Sequence, residues 1–379
     1  MVQDPERLGD DELVRIYDRR IRSSLLDGVP SSDTPTAIVV AGQPGSGTRC
    51  AIARVQAQIA ASAGPCVVLT ANELREYHPV WRHKPNSTRP DTAADIEKWT
   101  SRLIGDATSQ RVNLLLESDL RDPNRALALT RQFKASGYQV TTVAVATDRD
   151  QSRQASITAY ALTKSNGISP DPTLASLHDA SYDALRQVVA RVESELVPDR
   201  IQLVTRDGRQ LYANHLEGDR WVRESRAAHV LDDFRERQLT ARELADSVLR
   251  WDMLVARLVS DDTASTDVAR QAIHWRNDAA ARAQSDPDAA HLVTLGREAQ
   301  AFSSMNRYDF LRQFPQHADT VQRMHEAVTF AEANFPDPLD RQRFMAQTRG
   351  RLAERIAEGR ANPPVRSKDK EKTRAPKTR

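Results

Sequence analysis

Cysteine is nearly missing from this chain. Only Cys50 and Cys66 occur in 379 residues, without a CxxC pair or a Cys/His cluster. That excludes a disulfide framework and a cysteine-built metal centre, and it points to a reduced, cytoplasmic setting. Long apolar runs are missing as well: no stretch reaches the ~18 residues of a membrane crossing. The N-terminus MVQDPERLGDDEL carries acids where a signal peptide has its apolar core. No membrane role is expected.

Lysine is scarce too. Of 54 basic residues only eight are Lys, and four of these fall after position 367. The formal net charge is +2, and the tail Val365 to Arg379 holds seven Lys/Arg against two acids, so the body of the chain is slightly negative. A body without net positive charge is a poor match for nucleic acid, and no specific nucleic-acid partner is expected. What is present is the polar end of a soluble globular balance, 39% hydrophobic and 28% charged residues, in a chain long enough for two or three domains.

From Asp10 to Asp27 apolar residues recur at helical spacing (Leu13, Ile16, Tyr17, Ile21, Leu25, Leu26). Strand-like runs then alternate with helix-length segments. The runs are TAIVVA (36 to 41), CVVLT (66 to 70), VNLLLES (112 to 118) and QVTTVAVA (139 to 146), with helices expected at about 47 to 63, 92 to 110 and 123 to 136. Short, nearly continuous apolar strands between helices imply a parallel sheet covered on both faces. Ligands of such sheets sit at the carboxyl ends of the strands, where Gly42 to Gly47, Thr70 to Asn72 and Glu117 to Asp119 all fall. Residues 147 to 198 read as helical, with a break at Asn166 to Pro172 suited to a flap; 200 to 222 read as two or three short strands with a hairpin turn at Asp207-Gly208. Beyond 223 the pattern is helical and charged to about Gly359, and the tail 360 to 379 has the composition of a disordered segment.

The first strand runs into Gly42-Gln43-Pro44-Gly45-Ser46-Gly47-Thr48-Arg49. A glycine-rich turn between a strand and a helix cradles phosphate with successive backbone N–H groups and the positive helix end. Gly42, Gly45, Ser46, Gly47 and Thr48 are the candidate phosphate-binding residues. A P-loop would continue with Lys and a hydroxyl residue. Here Thr48 and Arg49 follow, so either Thr48 stands at the lysine position, or one residue is deleted and Thr48 is the hydroxyl. Both registers lack the lysine. Arg49 carries charge, but neighbouring helix positions diverge by ~100°, so it would not point where a lysine at 48 does.

The next segments carry a resemblance. CVVLTANELREYHPVW with Arg75, His78, Pro79 and Trp81, then DIEKW ending at Trp99, NLLLESDLRDPN (113 to 124), ASGYQVTTVAVA (135 to 146), SLHDASYDAL (176 to 185) and RDGRQLYANHLEGDRW (206 to 221) follow in the order found in zeta toxins, the toxins of epsilon/zeta toxin–antitoxin systems. The resemblance covers about residues 10 to 245. It implies a P-loop kinase fold, ATP and Mg²⁺ as cofactors, UDP-N-acetylglucosamine as substrate and a small helical antitoxin-like protein as partner. It also implies a site in which an Asp after the second strand is the base, and Glu and Thr after the third strand bind the sugar. Two flap arginines clamp the phosphoryl group.

Carried onto this chain, that inventory is altered. The base position is Asn72, whose amide does not take up a proton. Glu117 is kept, whereas the threonine position is Asp119. The first flap arginine is replaced by Ala159 before Tyr160, no arginine occurs at 169 to 171, and Arg153 is the nearest substitute. His78 before Pro79 is expected to shape the substrate wall, and Trp81, Trp99 and Trp221 to pack. The expected architecture is α/β: a helical segment 1 to 29, a P-loop kinase-like parallel sheet with helices on both faces from 30 to 222, a helical extension from 223 to 359, and the basic tail. The expected function is nucleotide and UDP-sugar binding with impaired catalysis. The alternatives are an active kinase with substituted residues (Arg49, Glu117, Asp119) and a non-enzymatic interaction protein. Arg75, His78, Glu117 and Asp119 are the expected substrate contacts, and no protein-built metal site is expected.

Overall fold

The computed structural model describes residues 7–80, 92–118, 122–162, 177–262 and 264–360, and the backbone alone of 163–165 and 175–176. The expectations for Trp81, Asp119, the break at 166 to 172 and the tail beyond 360 lie outside the described residues.

A seven-stranded sheet organises the first part of the chain. Its strands are β1 (Thr36–Ala41), β2 (Cys66–Leu69), β3 (Asn113–Ser118), β4 (Gln139–Ala146), β5 (Arg200–Thr205), β6 (Gln210–Glu217) and β7 (Arg220–Trp221), in the order β2-β3-β1-β4-β5-β6-β7. The first five are mutually parallel; β6 and β7 turn back antiparallel. β1 registers with β3 through Val40↔Glu117 and with β4 through Val40↔Val143. The chain departs from β1 toward β2 on one side and reaches β4 on the other, so the switch of direction, where open α/β sheets bind ligands, lies beside the end of β1.

The alternation of β1 explains the two covered faces. Ile38 and Val40 meet α3 (Thr48–Ser62) through Ile52, Val55 and Ile59. Ala37, Val39 and Ala41 share the opposite core with α5 (Ala93–Ser109), α6 (Pro123–Ala135) and α8 (Ala175–Ser194). The N-terminal segment is a rod of α1 (Asp10–Ile16), a π-helical turn Tyr17–Ile21 and α2 (Arg22–Leu25). It lies on α5: Trp99 Nε1 donates to Leu13 O (3.0 Å), Tyr17 OH to Asp106 Oδ2 (2.8 Å), and Arg102 stacks over the Tyr17 ring at 4.3 Å. Short helix α4 (Ala71–Arg75) follows β2, and α7 (Arg149–Ser165) follows β4.

Beyond the sheet the chain is helical: α9 (Ala227–Arg235), α10 (Ala241–Val259), α11 (Thr266–Gln284), α12 (Pro287–Ser304), α13 (Arg307–Gln313), α14 (Ala318–Asn334) and α15 (Pro338–Ala357). Two compact units emerge, and they interleave along the sequence. One comprises 1–238 with 251–276, the other 239–250 with 277–379. The boundaries expected at 29 and 222 therefore fall inside the first unit, because the rod and α9 contribute Tyr17, Ile21, Ala227 and Leu231 to the sheet's own core. The second unit has a small core of its own around Phe302, Phe310, Val321, Leu352 and Ile356. Among the described residues no helix is long and apolar enough to cross a membrane.

Candidate functional site: the glycine turn between β1 and α3

The turn between β1 and α3 has the conformation its glycines allow. Gly45 (φ +76) and Gly47 (φ +98) lie in the left-handed region, where a side chain is strained. Gly47 is the N-cap of α3. A Cβ on Gly45 would collide with Ser152 O, and one on Gly47 would stand 2.7 Å from Arg206 Cγ. Ser46 N donates to Gln43 O (3.0 Å), closing a tight turn. Among the described residues no acceptor faces the backbone N–H groups of Gly47, Thr48 or Arg49. Ser46 is fully buried, and its Oγ has no partner. Free amides at a helix N-terminus and a buried orphan hydroxyl are what an anionic ligand satisfies.

The loop is bolted to the sheet behind it. Thr147, just past β4, donates its hydroxyl to Ser46 O (2.7 Å), and buried Gln43 reaches Thr147 O (3.4 Å) and Ser152 Oγ (3.3 Å) through Nε2. Ser152 Oγ lies 2.9 Å from His178 Nε2, and His178 Nδ1 lies 2.9 Å from Asp179 Oδ1. These are the spacings of a hydrolytic triad, but Ser152 and His178 are fully buried, so no substrate reaches the hydroxyl and the chain of bonds is a brace. Burial lowers the His178 pKa, aided by nearby Arg153 and Arg149 and opposed by Asp179. For Asp179 burial acts upward, yet its bonds to Arg153 and His178 leave it below the usual carboxylate value.

Thr48 is tied to the neighbouring strand. Its Oγ1 donates to Glu117 Oε1 at 2.5 Å, at the end of β3. In P-loop proteins the hydroxyl after the lysine and an acid on a neighbouring strand share the Mg²⁺. The Thr48 hydroxyl is held by Glu117, and in either register the turn is left without a lysine. Arg49 is exposed on the first turn of α3 and does not replace it.

The other expected residues divide. Asn72 and Arg75, on α4, are joined by Arg75 Nη1 donating to Asn72 Oδ1 (2.8 Å). His78 is fully buried, with Nε2 3.2 Å from Asp95 Oδ2 and its ring 5.8 Å from that of Trp99. That placement suits the wall, and as a direct substrate contact His78 is corrected: a ring without exposed surface touches no ligand. Arg153 is also committed elsewhere, to Asp179 through Nη2 (2.6 Å) and Nε (3.3 Å) and over the Trp275 ring at 4.7 Å. Trp99 and Trp221 pack, each donating its indole N–H to a backbone carbonyl.

Sequence reasoning missed two residues. Half-buried Glu73, beside Asn72, has its pKa raised by burial and then by Glu76. Arg206, just past β5, donates from Nη1 to Gly45 O (3.1 Å); the only signal was an arginine beside the Asp207-Gly208 turn.

Comparison with known proteins places these features in a family. The model described as zeta toxin matches residues 22–217, more than half of the chain. The toxin PezT of Streptococcus pneumoniae serotype 4 is 26% identical over 208 residues, covering 54% of this chain and 81% of PezT. A structure from the PezAT chromosomal toxin–antitoxin system of Streptococcus pneumoniae superposes with a TM-score of 0.55 at 23% identity, covering 66% of this chain and 99% of that one. A complex of AvrRxo1-ORF1 with AvrRxo1-ORF2 is more distant, with a TM-score of 0.44 at 17% identity over 72% of this chain and 88% of that one. The match spans more than half of the chain, and the chain belongs to the zeta toxin family.

Proposed function

We propose that the cradle Gly42 to Thr48 binds the phosphates of ATP with Mg²⁺, and that the chain is a UDP-amino-sugar kinase relative whose phosphoryl transfer is impaired. The single observation that carries this reading is a glycine turn with Gly45 and Gly47 in the left-handed region that enters α3 without a lysine, with Asn72 at the base position. The residues present fit the cofactors. Free amides of Gly47, Thr48 and Arg49 suit phosphate oxygens, and the Thr48 hydroxyl beside Glu117 offers the hard oxygen donors Mg²⁺ takes along with phosphates and water. Bound there, the ion neutralises charge on the phosphates. Arg75 and Glu117 are the substrate-side contacts of the reading, and Asp119 completes the set as a proposal from the motif alone. A small helical antitoxin-like partner is proposed on the resemblance, supported by the toxin identity of the matched pneumococcal relative.

The side chains here do less chemistry than the fold was built for. Phosphoryl transfer relies on positioning and charge stabilisation, and one cation is worth ~10³ to 10⁵ in rate. Loss of the general base costs about 10² to 10⁴. Calorimetric titration with ATP, with and without Mg²⁺, is expected to show Mg²⁺-assisted binding. Mass spectrometry of UDP-N-acetylglucosamine incubated with MgATP is expected to show at most trace phosphorylation. Turnover at ordinary kinase rates would refute the impairment; absence of any ATP binding by folded protein would refute the nucleotide reading. Asn72→Asp alone is expected to leave the rate low, because the lysine of the turn is still absent.

A further inference from the structure

We propose that Arg206 supplies the positive charge the turn lacks, holding the phosphate chain of a nucleoside polyphosphate from across the loop. The proposal rests on the nucleotide-binding reading above. β5 runs parallel to β4, so its carboxyl end opens on the same edge of the sheet as the cradle. Arg206 follows that end directly. Its Nη1 donates to Gly45 O at 3.1 Å, and its methylenes cross the face of Gly47 at a distance only a glycine leaves open.

Among the described residues no carboxylate pairs with Arg206. The neighbouring Asp207 is occupied by the Thr205 hydroxyl and by backbone N–H groups, and Glu117 holds Thr48. One of five guanidinium N–H donors is spent on Gly45, and four remain. A cation beside the N-terminus of α3 is unfavourable by itself, because the helix end is already positive. An anion lying between the two removes that repulsion. Buried Ser46 Oγ, without a partner, independently marks the same turn as short of a polar ligand. A mere brace for the loop would need one neutral donor; guanidinium adds a fork that matches phosphate oxygens.

The test is calorimetry on the full chain with three probes: ATP, inorganic tripolyphosphate and adenosine. Arg206→Ala is expected to weaken ATP and tripolyphosphate alike by about tenfold to a hundredfold, the range of a charge-assisted bond. It is expected to leave adenosine unchanged and to flatten the dependence of ATP affinity on ionic strength. Arg206→Lys is expected to recover part of the loss. Arg206→Gln keeps a donor for Gly45 O without charge, and it is expected to behave like Arg206→Ala at an unchanged melting temperature. Wild-type affinity for tripolyphosphate in the Gln variant, or an equal loss for adenosine, would overturn the proposal in favour of a loop brace or a base contact. If folded wild-type protein binds none of the three probes, the nucleotide reading falls and this inference with it. If wild type binds ATP and Arg206→Ala binds it equally well, only the inference on Arg206 falls.

Discussion

Two glycines of this chain are expected to respond oppositely to the same added methyl group. Gly45 has φ +76, and a Cβ there meets the carbonyl of Ser152; alanine must shift the cradle or α7, at a cost of about 1–3 kcal/mol. Gly105 sits exposed within α5 with nothing within 4 Å of an added Cβ, so alanine there is expected to stabilise by about 0.5–1 kcal/mol. Thermal melts of Gly45→Ala and Gly105→Ala check both signs, and only the first is expected to abolish ATP binding. Residue roles were legible where local chemistry sets them. The left-handed turn at Gly45 and Gly47 could be read directly, because that conformation demands one residue type. The partners of Thr48, His78 and Arg206 could not. Thr48 meets Glu117 only because β1 and β3 are adjacent, and Arg206 reaches Gly45 across 161 positions of sequence.

The helices α7 and α8 are tied through Ser152, His178, Asp179 and Arg153, and this tie should show in the dependence of stability on pH. His178 has its folded pKa lowered from 6.5, chiefly by burial. As pH falls below about 6.5 the unfolded chain takes up a proton that the folded chain refuses, so stability falls through that window and levels off below the folded value. Asp179 acts further down: its folded pKa is lowered from 3.8, so its contribution is present above that value and lost as pH drops through the lowered one. Melting temperatures of wild type and His178→Asn between pH 7 and 5 are expected to show a shallower decline in the variant. Equal slopes would mean that His178 does not carry the effect. Elements were the most legible level, since β1, β3 and β4 are largely buried on both faces and, with the edge strand β2, read as nearly continuous apolar runs between helix-length segments. The π-helical turn at Tyr17–Ile21 was not, because its wider hydrogen-bond ring leaves no mark in residue type. Two-residue β7 was read only as an uncertain third strand, being too short for a period.

Over the whole molecule the decisive question is where a self-sufficient kinase-like unit ends. A change from strands to helices after 222 suggested a cut there, because pattern reading sees the period of a segment and not the core it joins. Yet Ala227 and Leu231 are fully buried with the sheet, and Ala227 N donates to Glu193 Oε2 (2.8 Å). Farther on, Trp251 and Trp275 are almost wholly buried, their rings 5.8 Å apart, and Trp275 lies 6.2 Å from the ring of His178. Ser265 N donates to Tyr160 OH (3.1 Å). Ending the chain at 222 removes all of these partners, and a large buried aromatic alone is worth about 3–5 kcal/mol, much of the 5–15 kcal/mol that holds a typical domain folded. A chain of residues 1–222 is therefore expected to aggregate or to melt far below the full chain in size-exclusion and thermal measurements. Residues 1–284, which retain α9 to α11, are expected to stay monodisperse and to bind ATP as the full chain does. If 1–222 instead melts with the full chain, α9 to α11 are dispensable to the unit, and the brace from Trp275 to the phosphate cradle carries no stability.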